Sequence, residues 1–64
     1  MVNIEQIGPM TYIITVPYYE NQKILLRDLC KYLMFFNDAT DYIVGLYKRH
    51  RCVAEYKLIL IVND

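Results

Sequence analysis

A chain of 64 residues with 7 Lys+Arg and 7 Asp+Glu has a formal net charge of zero, and 56% of it is apolar. The charge is too low and the hydrophobic content too high for a disordered chain, and the length allows one domain, 1–64, with no deep catalytic cleft. A neutral total also lacks the basic excess usual in a nucleic-acid binder, so any basic surface must be local.

The first residues, Met1-Val2-Asn3-Ile4-Glu5-Gln6, carry neither a basic nor an extended apolar region, which argues against a secretory signal. The longest aliphatic run, Leu58 to Val62, falls far short of the ~20 residues of a transmembrane helix. The expectation is a soluble, intracellular protein with no membrane partner. Cys30 and Cys52 are two thiols where a disulfide-stapled domain usually has four or more. Both are expected to be reduced and to fill packing space, although a helix packed on a sheet leaves a bridge geometrically possible.

Gly8-Pro9 is the first punctuation and suits the two central residues of a type II′ hairpin turn, with glycine at positive φ. It joins Val2–Ile7 to Met10–Val16, where Met10, Tyr12, Ile14 and Val16 share one pleat face and Thr11, Ile13 and Thr15 the other. Pro17 lacks an amide donor and should end that strand.

Asn21 to Phe36 reads as a helix with Glu20 or Asn21 at its start. At 100° per residue, Leu25, Leu29, Tyr32, Leu33 and Phe36 gather on one side, and Lys23, Arg27 and Lys31 fall opposite. Asn37-Asp38 breaks the pattern.

Thr40 to Arg51 admits two readings. As a helix it has acids at its start and bases at its end, matching the macrodipole. As a strand it accounts for the β-favouring Tyr42-Ile43-Val44 and for Gly45, which costs a helix about 1 kcal/mol relative to alanine. The strand reading makes Tyr42–Tyr47 and Cys52–Val62 a hairpin closed by Lys48-Arg49-His50-Arg51, with Tyr47 opposite Cys52. Leu58–Val62 is apolar on both pleat faces, as in an interior strand. The fold class is therefore α+β: an antiparallel or mixed sheet of three to four strands with one amphipathic helix, ββαββ. A second helix at 40–50, giving ββααβ, is the alternative.

Candidate binding residues follow from the clustering of charge. Lys23, Arg27 and Lys31 form a row about 12 Å long at 1.5 Å per residue, long enough to meet two or three phosphates. The ordinary reading of such a row is a solvated helix face, although like charges at i, i+4 cost a helix a few tenths of a kcal/mol. Lys48, Arg49, His50 and Arg51 crowd a hairpin tip that lacks the Gly, Asn or Asp usual in tight turns. A basic ribbon of this kind can grip phosphates, or can simply deter edge aggregation. Seven tyrosines are many for this length. Tyr18 and Tyr19 are adjacent and cannot both be buried by alternation; two or three tyrosines should remain exposed, where they suit protein interfaces or base stacking.

No metal, cofactor or catalytic site is expected. His50 and Cys52 lack the further ligands of a closed zinc site, the carboxylates are scattered, and no phosphate-binding glycine motif is present. The leading expectation is a non-enzymatic protein that binds and modulates a larger macromolecule through Lys23, Arg27, Lys31, Lys48, Arg49, Arg51, Tyr18 and Tyr19. Stand-alone chains of this size suit inhibitors and regulators, including those of viruses and mobile elements, an association of size alone. Direct nucleic-acid binding by the same cations is the rival. One helix covers only one sheet face, so Ile59, Ile61 and Val53, with Ile13 beside them, are expected to bury a homodimer interface through the carboxy-terminal strand or its open face.

Overall fold

The computed structural model describes residues 2–18 and 21–63. Alternating apolar residues form β1 (Asn3–Gly8) and β2 (Thr11–Pro17), an antiparallel hairpin with Ile4 opposite Ile14 and Glu5 opposite Ile13. Its turn differs from the expected one. No described glycine has a positive φ, so Gly8 does not open a type II′ turn. Gly8 pairs with Thr11 past a bulge at Ile7, and the bend falls on Pro9-Met10. The fixed φ of Pro9 suits the first bend position, and the lack of positive φ at Met10 excludes type II. Gln6 Nε2 donates to the carbonyls of Gly8 and Pro9, at 3.0 and 3.2 Å, and ties the bend to the strand.

From β2 the chain enters α1 (Gln22–Phe36), then β3 (Asp41–Arg49) and β4 (Val53–Ile61). The four strands lie in the order β1-β2-β4-β3 with every neighbouring pair antiparallel. β2 and β3 are thus parallel to each other, and α1 is the crossover between them with β4 returning through the gap. The fold is ββαββ, and 40–51 supplies a strand rather than a second helix. β4 is interior, as its apolar run requires. Because both its edges are paired, it cannot dimerise by strand addition; Ile59, Ile61 and Val53 offer only the open face of the sheet.

The β3–β4 register also departs from the expected one. Tyr47 does not meet Cys52: Val44 lies opposite Leu58, Gly45 opposite Lys57 and Leu46 opposite Tyr56, and a bulge at Tyr47 then sets Lys48 against Glu55. The slip is an odd number of residues, so the faces exchange. Tyr42, Val44, Tyr56, Leu58 and Leu60 turn toward the helix, while Ile43, Gly45, Lys57 and Ile59 face away. The bend narrows to Arg51-Cys52, closed by the His50 amide donating to the Val53 carbonyl at 2.9 Å. No residue of this tip has a positive φ, which explains how it does without glycine or asparagine.

Tyr12, Ile14, Val16, Leu58 and Leu60 from the sheet pack against Leu26, Cys30 and Leu33 of α1 to form the core. The helix is turned relative to the expected wheel. Leu25 and Leu29 flank the buried stripe, whereas Tyr32 and Phe36 point away from it. Asn21 occupies the N-cap position without a side-chain cap bond, and Glu20 lies outside the described residues. The other end is closed firmly. Asp38 takes a left-handed φ of 55°, its amide donates to the Phe35 carbonyl at 3.2 Å and the Ala39 amide to the Met34 carbonyl at 2.8 Å, the paired bonds of a Schellman motif. Asn37 Nδ2 adds bonds to the Leu33 carbonyl at 2.8 Å and the Tyr12 hydroxyl at 3.0 Å, fastening this end to β2.

Candidate interaction surfaces

The cations of the sequence reading are exposed and lie on two elements, the helix and the hairpin tip. Lys23 lies at the start of α1, near the hairpin tip: Gln22 Nε2 donates to the Pro17 carbonyl at 3.2 Å, and the Tyr18 amide to the Cys52 carbonyl at 3.1 Å. Arg27 and Lys31 then run away from the tip toward the far end of the sheet. The bulge divides the tip itself. Lys48 lies opposite Glu55 on the open face, and Arg49 opposite Ala54 on the helix face. His50 Nε2 contacts the Glu55 carboxylate, which offsets part of the tip's positive charge.

Tyr18 is exposed beside this tip; Tyr19 lies outside the described residues. Tyr12 is buried, and Tyr42 and Tyr56 pack at the core margin, the Tyr56 hydroxyl reaching Gln22 Oε1 at 3.4 Å. Tyr18, Tyr32 and Tyr47 remain exposed, in keeping with the expectation that so small a core leaves some tyrosines outside. Tyr47 and Lys57 meet on the open face, with the ammonium 6.0 Å from the ring centre.

Both thiols are free. Cys30 fills core space as expected, and burial pushes its pKa up to about 11. Cys52 does not: it is exposed at the hairpin tip. Among the described residues no group of three His, Cys, Asp or Glu is placed to hold a metal ion, and no helix is long and apolar enough to cross a membrane.

The most exposed apolar side chains of α1 lie where the rotated wheel puts them. Ile24 (53% exposed), Tyr32 (61%), Phe35 (72%) and Phe36 (71%) project from the outer side of α1, and the Tyr32 and Phe36 rings stack at 6.2 Å. This patch is hidden in the sequence because apolar residues occur on almost every side of α1, so several stripes satisfy helical spacing equally well. The usable signal was the excess itself: ten apolar residues in Gln22–Phe36, plus Ile24 to Phe36 spanning every side, exceed what one sheet can cover. Further exposed apolar residues lie along β3, Ile43 and Tyr47 on the open face and Leu46 on the helix face, at 50% to 61% exposed.

No protein-family model, curated protein or solved structure matches the chain.

Proposed function

We propose that the protein is a non-enzymatic binding module that acts on a larger protein, and that the outer side of α1 is its recognition surface. The observation that carries this reading is the exposure of Ile24, Tyr32, Phe35 and Phe36 on one short helix whose other side already supplies the core. Large apolar groups are costly to leave in water, at roughly 1.5–3 kcal/mol for each fully exposed side chain, and rigid aromatic rings are favoured anchors at protein interfaces. Asp28 and Lys31 are exposed between Ile24 and the Tyr32, Phe35 and Phe36 group, with Arg27 beside them, so the fitting partner presents an apolar groove for the three rings with polar groups at its edge, the geometry of helix-in-groove recognition. A nucleic-acid role is less well supported, because the net charge is zero and the bulge sets Lys48 and Arg49 on opposite faces of the tip.

Replacing Phe35 and Phe36 by Ser should abolish capture of the partner while circular dichroism stays unchanged. Arg27→Glu with Lys31→Glu should weaken capture and make it insensitive to salt. Titration with random DNA and RNA supplies the opposing outcome: tight binding whose affinity falls steeply with salt, and which survives the Phe35/Phe36 double substitution, would replace this reading with the nucleic-acid one.

A further inference from the structure

The free edge of β3 goes beyond the binding reading and is independent of it. Which backbone groups it offers follows from the ladder. The Leu60 amide donates to the Met10 carbonyl at 2.8 Å, so even-numbered residues of β4 bond to β2 and odd-numbered ones to β3. With Ile43 opposite Ile59 and Gly45 opposite Lys57, the amides and carbonyls of Ile43 and Gly45 turn inward, and those of Val44 and Leu46 turn outward. The outward amide of Tyr42 is held by its neighbour's carboxylate, Asp41 Oδ1, at 2.8 Å. No described strand pairs with this edge.

We propose that β3 pairs antiparallel with β3 of a second copy, about a two-fold axis through Gly45, to make one continuous sheet. Charge selects this occupant. The strand carries an acid at its start, Asp41, and bases at its end, Lys48 and Arg49. Antiparallel pairing brings the acidic end of each copy to the basic end of the other, whereas parallel pairing would align like charges. The axis sets Val44 opposite Leu46 of the second copy, with four backbone hydrogen bonds between the outward groups of these residues. On the open face Ile43 meets Tyr47 of the second copy, while on the helix face Leu46 meets Val44, so each exposed apolar residue of β3 gains an apolar neighbour. Gly45 brings no side chain to the crossing. The other free edge, β1, carries Glu5 as its one ionisable residue and has no complementary end. Dimerisation is thus moved from the Ile59, Ile61 and Val53 face to the neighbouring strand edge, with that face continuing unbroken from one copy into the other.

The test is light scattering of the whole chain combined with charge exchange. The wild type should show twice the 7.7 kDa chain mass at micromolar concentration. Asp41→Lys, and separately Lys48→Asp with Arg49→Asp, should each raise the dissociation constant at least about a hundredfold, because like charges then face each other. Mixing the two variants should restore a dimer, since each then supplies what the other lacks. Hydrogen exchange gives a check without substitution: the Val44 and Leu46 amides should be protected in concentrated solution and lose protection on dilution, while Ile43 and Gly45 stay protected throughout. A chain of 7.7 kDa at every concentration overturns the proposal. So does a dimer that both charge variants leave intact, or one whose Val44 and Leu46 amides exchange freely.

Discussion

The two faces of the sheet are built from similar residues and differ in what lies over them. On the helix side, Ile14, Val16 and Leu58 are sealed from solvent by Leu26, Cys30 and Leu33. On the open side, Ile59 and Ile43 remain exposed, and Ile13 (7% exposed) is sheltered in the sheet between Glu5 and Lys57. Stability should therefore reside in one face, leaving the open face, the β3 edge and the outer side of α1 free to change without loss of the fold. α1 repeats the division on its own scale, with a buried stripe on one side and uncovered aromatic rings on the other.

The sharpest way to break this comparison is at adjacent residues of β4. Leu58→Ala should cost about 2–5 kcal/mol, the usual range for a buried truncation. Ile59→Ala, one residue along and on the other face, should cost under about 1 kcal/mol in dilute solution. Equal losses in urea unfolding would show that the open face also carries the fold.

Cys30 tests the sealed side by pH. Its thiol stays neutral in the fold up to about 11, whereas the unfolded chain ionises it at the ordinary value near 9. Above that ordinary value the unfolded state binds fewer protons, so stability falls as pH rises. The slope should reach about 1.4 kcal/mol per pH unit in this window, and the contribution is constant below it. The difference between wild type and Cys30→Ala isolates this slope, and parallel pH curves would mean that the thiol is not sealed.

A smaller effect is expected where the helix ends. Asp38 holds a left-handed backbone that costs a residue other than glycine roughly 1 kcal/mol, so Asp38→Gly should stabilise the domain by up to about that amount in thermal unfolding. Destabilisation would assign the aspartate side chain a role beyond filling the turn.

The sequence made the element order legible because each element announces itself locally. Alternation marks β2, Pro17 and Asn37-Asp38 mark ends, and the two-sided apolar run marks β4 as interior. Facing and register were less legible, since both depend on tertiary packing. One extra residue at Tyr47 and a tip shortened to Arg51-Cys52 moved the β3–β4 pairing and exchanged its faces. Gly8-Pro9 located the first turn, but the bend fell one residue later because Ile7 bulges. The tip cations are legible as a group, but the division of Lys48 from Arg49 between the two faces is not, because it follows from that same register. The aromatic patch on α1 stayed hidden for a related reason: Leu25, Leu29 and Leu33 line up as well as Leu26, Cys30 and Leu33, and only the sheet beneath decides between them.

The orientation of α1 decides which surface is free to bind, and it can be measured directly by comparing the unfolding free energies of Leu33→Ala and Phe36→Ala in urea. Leu33 lies in the core and Phe36 is 71% exposed, so the first should lose about 2–5 kcal/mol and the second less than about 0.5 kcal/mol. A large loss at Phe36 with little at Leu33 would turn the helix over, bury the proposed recognition surface, and contradict the account.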